Sequence, residues 1–127
     1  MRIFKNKVFS RYARKQGISD SVLAAAISEI ESGLIDADYG GHLVKKRIAR
    51  QGGGKSGGHR TILAYVKGDK AFFMFGFAKN DRDNIDRDEV RDFKKLATLY
   101  IGLDEDELKL AQDQAVLFEV KQDEEDL

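Results

Sequence analysis

Apolar residues along the chain recur first at helical spacing, then at strand spacing, then at helical spacing again. After the apolar pair Ile3 and Phe4, the residues Val8, Phe9, Tyr12 and Ala13 fall at i, i+1, i+4 and i+5. Arg11, Arg14 and Lys15 lie opposite, and Gly17 makes a stop. Ser19 as cap, Asp20 in the first turn and the stripe Val22, Leu23, Ala26, Ile27 and Ile30 predict a second helix, ending at Gly33. Two helices on a short turn form an αα-hairpin that needs a sheet to bury against.

Leu34–Gly41 reads as a loop. The period then shortens to two in HLVKKRIA (42–49), HRTILAYV (59–66) and AFFMFGFA (71–78), with a tight-turn signal at Gly68-Asp69. The third strand is apolar on both faces, Phe73, Phe75 and Phe77 against Phe72 and Met74, which predicts a central position. Asp86 with Glu89 forms a capping-box signature for a helix through Tyr100, with Gly102 as its stop. A short acidic helix in Leu103–Asp113 and a strand in Val116–Val120 follow. The expected fold is α+β: an N-terminal helical hairpin packed on a small antiparallel sheet, with a C-terminal helix and a short extra strand. Residues 1–121 form one domain, and 122–127 are expected to be a disordered acidic tail.

Composition narrows the class. Hydrophobic residues at 42% suffice for one core in 127 residues. The absence of Cys removes disulfides, zinc–thiolate sites and thiol nucleophiles, and suits a reducing cytoplasm. The longest apolar run is the six residues Val22–Ile27, far short of the roughly 20 a membrane helix needs. The basic N-terminus lacks a signal peptide's apolar stretch. A net charge of zero conceals a division: residues 1–70 carry 14 basic and 6 acidic side chains, and the remainder 8 and 16.

The basic half has a focus. His42–Arg60 holds Lys45, Lys46, Arg47, Arg50, Lys55 and Arg60, both histidines, five glycines and no acid. Such a field suits an anionic polymer, and glycines allow backbone amides to approach phosphates. A solvated edge strand guarded by Lys and Arg is the bland alternative. Gly54-Lys55-Ser56 is not a P-loop, because Ala49 stands where the first glycine is needed and no helix follows. His42 and His59 flank the loop and could act as bases near neutral pH. Two His without Cys or an intervening carboxylate predict no metal site and no cofactor. Period two puts Val44, Lys46 and Ile48 on one strand face. Lys45 and Arg47 share the other with Arg60 and Lys79, unless a bulge exchanges Lys45 for Lys46.

Residues 43–85 carry Lys-Lys-Arg, the Gly-Lys-Ser-Gly-Gly loop, an arginine opening the next strand, and Phe-Ala-Lys-Asn after the aromatic strand. With these the chain resembles the RelE/ParE toxins of type II toxin–antitoxin systems, most closely a HigB-like RelE branch. The resemblance implies a metal-independent endoribonuclease that cuts mRNA on the ribosome. It also implies a cognate antitoxin, expected to be of helix-turn-helix type, and no membrane partner. It implies catalytic roles for Lys45, Lys46, Arg60 and Lys79, and RNA contacts from Arg47, Arg50, Lys55, His59, Asn80 and Arg82. An arginine typical of RelE aligns with Asn80, and a catalytic tyrosine with Asp86, which leaves general acid and base open among the lysines.

Metal-free cleavage needs a base for the ribose 2′-hydroxyl, cations around the phosphorane and an acid for the leaving oxygen. The products are a 2′,3′-cyclic phosphate and a 5′-hydroxyl. A lysine among cations releases its proton more readily, and arginine clamps phosphate bidentately. Two alternatives remain: a ParE-like topoisomerase inhibitor that cuts nothing, and a non-catalytic nucleic-acid-binding module.

Overall fold

A computed structural model describes residues 1–50 and 58–122. The expected glycine-loop residues 51–57, Lys55 among them, and the tail from 123 onward lie outside the described residues. The chain does not open with the helical hairpin. It opens with β1 (Arg2–Asn6), followed by α1 (Lys7–Gln16), α2 (Asp20–Glu31), β2 (Ala37–Gly40), β3 (Leu43–Ile48), β4 (His59–Val66), β5 (Lys70–Ala78), α3 (Arg87–Ile101), α4 (Glu105–Asp113) and β6 (Leu117–Glu119). All six strands form one sheet in the order β2-β3-β4-β5-β1-β6.

Two strands escaped the periodicity reading, each for its own physical reason. β1 buries Ile3 toward one layer of helices and Phe4 toward the other, so five residues offer no alternation to detect. β2 is a four-residue edge strand inside the predicted loop, held by pairing Asp38 with Val44 rather than by apolar content. The sheet is therefore larger than expected and not purely antiparallel, because β1 runs parallel to β5. β5 is central, between β4 and β1.

Both faces are covered. One core joins α1 and α2 to the sheet through Phe9, Leu23, Ile27, Val44, Leu63 and Phe73. The other joins α3 and α4 through Phe4, Ile62, Phe72, Tyr100 and Leu108. The helix ends follow the sequence signals: Gly17 closes α1 in the left-handed region at φ 72°, Ser19 caps α2, and Asp86 and Glu89 complete the capping box of α3.

The face pattern of β5 differs from strict alternation. Its register with β4 shifts between Ile62/Phe75 and Leu63/Phe73, so two residues of β5 oppose one step of β4. The bulge separates Phe73, on the α1 side, from Phe75 and Phe77, on the α3 side. It also brings Gly76 beneath α1, where a Cβ would lie 2.6 Å from the Tyr12 ring. At the C-terminal end, Gln122 donates to the Met1 carbonyl at 2.8 Å, and Arg2 binds Glu105 and Glu119.

Candidate functional site

The site-forming positions converge at the end of the sheet where β3 finishes and β4 begins. Cross-strand register puts Arg47, Arg60 and Phe77 in one row, and Lys45, Ile62 and Phe75 in the next. Side chains of directly opposed residues project to the same face. Since Ile62, Phe75 and Phe77 belong to the α3-side core, Lys45, Arg47 and Arg60 share that face. β3 and β4 pair without a shift from Leu43 to Ile48, so no bulge exchanges Lys45 for Lys46.

Arg60 is 7% exposed, and its Nη1 is buried with no hydrogen-bond partner among the described residues. An unpartnered buried donor costs about 1–3 kcal/mol, and an anionic oxygen reaching that nitrogen would cancel the cost. Directly opposite, Arg47 has its own acid: Asp36 accepts from the Arg47 backbone N–H at 2.6 Å, and its carboxylate forms an ion pair with Nε at 3.2 Å. Lys45 points Nζ toward Asn84 Oδ1 at 3.5 Å, an oxygen that also accepts from the Tyr39 hydroxyl and the Ile85 N–H. Asn84 thereby fastens the turn after β5 across β2 and β3.

Arg82 lies over Phe77 and Phe75, its guanidinium carbon 5.3 and 5.9 Å from the two ring centroids. Nη1 and Nη2 both bind the Glu89 carboxylate, and Nε donates to the Asn84 carbonyl at 3.1 Å. That pairing holds Glu89 below the usual carboxylate range. Lys79 and Asn80 are exposed in the turn, and Lys79 N–H donates to the Gly58 carbonyl at 3.2 Å, tying the start of β4 to the end of β5. A Cβ on Gly58 would lie 2.5 Å from the Ile48 carbonyl oxygen, so three chain segments meet where only glycine fits.

Other expected site residues are elsewhere. Lys46 is buried on the opposite face, its Nζ 2.7 Å from Glu29 and 3.1 Å from the Leu34 carbonyl. His59 also faces α1, with Nδ1 2.6 Å from the Tyr12 hydroxyl. Burial, and secondly the Arg50 charge, lower the His59 pKa; burial raises that of Tyr12 to about 12. The hydroxyl is therefore protonated at neutral pH and shares a hydrogen bond with the His59 imidazole. Arg50 and His59 line a separate cavity of about 170 Å³ beside Gly17 and Ile18. His42 stands at the far end of β3, where its carbonyl accepts from Tyr65 N–H, so the two histidines do not share a site. Asp86 is committed to capping α3, its side chain accepting from Glu89 N–H at 2.8 Å. Among the described residues, no three His, Asp or Glu side chains gather as a metal-binding group.

Residues 1–120 match the family described as RelE toxin of the RelE/RelB toxin–antitoxin system. The chain belongs to the RelE toxin family. It is a toxin of a toxin–antitoxin system, and the family implies an antitoxin partner and action on mRNA at the ribosome. Comparison with curated proteins finds no match. No helix among the described residues is long and apolar enough to cross a membrane.

Sequence reasoning missed several parts of this candidate site. Glu89 reads there only as a cap residue, Phe75 and Phe77 only as apolar strand residues, and Asn84 carries no signal. The signal for Glu89 was available: Arg82 precedes it by seven residues across a capped helix start, so the N3 carboxylate faces back toward the turn. The signal for Phe77 required the bulge, which periodicity does not reveal.

Proposed function

We propose that this RelE-family chain is a metal-independent endoribonuclease that cuts messenger RNA on the ribosome and stops translation. The reading places it in the HigB-like branch, with a cytoplasmic site of action and a helix-turn-helix antitoxin. The observation that carries it is Arg60: buried, set between Arg47 and Phe77, with one nitrogen unpartnered among the described residues. A permanently charged fork held in that state suits a phosphate whose charge grows in the transition state.

The division of labour follows from position. Arg60 stabilises the phosphorane. Lys45 lies on the same face one row away and takes the proton from the 2′-hydroxyl. Lys79, exposed at the end of β5, protonates the leaving 5′-oxygen or binds the adjoining phosphate. The attack forms a 2′,3′-cyclic phosphate and releases a 5′-hydroxyl. Lys46, on the far face and paired with Glu29, supports the sheet from behind.

Primer extension on cellular mRNA after induced expression tests this reading. New 5′ ends within translated codons, lost in Arg60→Ala and Lys45→Ala, are the expected result. Growth arrest with intact mRNA and altered plasmid topology would instead indicate a topoisomerase inhibitor.

A further inference from the structure

Arg82 is bound in a way that leaves little of it for phosphate. Its end-on fork, Nη1 and Nη2, is occupied by Glu89, and its side-on fork has lost Nε to the Asn84 carbonyl. A phosphate seeking a bidentate arginine finds neither fork complete. The guanidinium carbon lies over the rings of Phe75 and Phe77. The side chain is nevertheless 34% exposed, so part of it remains open to solvent. A planar cation fixed at its edges and backed by aromatic rings is suited to stacking, and unpaired RNA bases stack on arginine planes. The position is also informative: Phe77, beneath Arg82, is the cross-strand neighbour of Arg60.

We infer that Arg82 is a stacking platform for one unpaired RNA base, adjacent to the phosphate held at Arg60, and not a phosphate ligand. This rests on the RNA-cleaving reading and specifies how that site would grip its substrate. Glu89 is the positioning residue, since it consumes the fork and holds the plane over the phenylalanines.

The test uses a short oligoribonucleotide that is bound but not cut, with one 2′-hydroxyl replaced by hydrogen and 2-aminopurine placed at successive positions. The full chain should quench the fluorophore at one position next to the modified ribose. Arg82→Lys, which keeps the charge but has no plane, should abolish that quenching and raise Kd by about 5- to 150-fold, the range for losing one base stack. Arg82→Gln should leave the salt dependence of binding unchanged. Glu89→Gln, which releases the fork without removing the arginine, should weaken the quenching and steepen the salt dependence. Undiminished quenching in Arg82→Lys, or no quenching at any position with the natural chain, overturns the inference. So does a salt slope that falls by about 0.7 in Arg82→Gln, the mark of one lost phosphate contact on a single strand. Cleavage of all-ribose mRNA on ribosomes is scored separately. Quenching without cleavage supports the platform and removes the nuclease reading, and cleavage without quenching removes the platform alone.

Discussion

Arg47 and Arg60 stand directly opposite each other across β3 and β4, and Asp36 neutralises only the first. Like charges directly opposed on a sheet are destabilising, by up to about 1 kcal/mol. The arrangement therefore opposes folding and favours an anion. Arg60→Met, close in volume and uncharged, should raise the urea midpoint while reducing RNA cleavage at least ~100-fold, the scale for losing a transition-state charge stabiliser. Equilibrium unfolding and single-turnover cleavage on the same preparation check the opposite signs.

Lys45 and Lys46 are adjacent in sequence and lie on opposite faces of the sheet. Lys45→Ala should lower cleavage with little change in stability. Lys46→Ala removes buried packing and the Glu29 partner, and should cost about 1–3 kcal/mol with activity per folded molecule retained. Denaturant titration beside active-site-normalised rates separates the two. If Lys46→Ala abolished cleavage in a fully folded protein, the division of roles would be wrong.

Gly76 leaves room for the Tyr12 ring, and its missing Cβ would also come within 3.2 Å of Phe9. Gly76→Ala should therefore destabilise by about 1–3 kcal/mol through overpacking. The cost should shrink in a Tyr12→Ala background, where the obstructing ring is gone. A double-mutant cycle measured by urea unfolding reads the coupling, and strict additivity would contradict the contact.

His59 predicts a pH response in the neutral range. Its folded pKa is lowered, so the unfolded chain takes up a proton first as pH falls through the ordinary value of 6.5. Stability rises with pH wherever the unfolded state binds more protons. The His59 contribution is thus absent above that value and becomes a penalty that grows down to the folded pKa. The urea midpoint should fall between pH 7.5 and 5.5, and less so in His59→Gln. Asp20, Glu31 and Glu89 also have lowered values, but their stabilisation is lost only as pH falls below the carboxylate range, outside this window.

Much of this architecture was legible because local signals and tertiary packing agree. Capping residues mark the ends of α1, α2 and α3, and β4 coincides with the apolar run His59–Val66. Period-two reasoning also sorted Lys45, Arg47 and Arg60 from Lys46. It failed on β1, whose Ile3 and Phe4 serve opposite cores, and on β2, a four-residue edge strand with only Tyr39 packed against a core. At the candidate site, the clustered cations Lys45, Arg47 and Arg60 fall on one face at one end of the sheet. Which were already engaged was hidden, because the acids concerned are distant in sequence: Glu29 for Lys46 and Asp36 for Arg47. The direction of His59 was hidden as well, because it rests on Tyr12, a partner 47 residues away.

The sheet order has a consequence for how the toxin comes into being. β1 precedes both of its partners in the chain, yet it lies between β5 and β6, so those partners emerge only after residues 70 and 117. No local hairpin can shelter Ile3 and Phe4 in the meantime, and contacts this distant in sequence slow folding. A nascent chain that has already emerged as far as Arg47 and Arg60 still lacks both strands that flank β1. The sheet around β1 is thus closed only after the strands that carry Arg47 and Arg60 have been made.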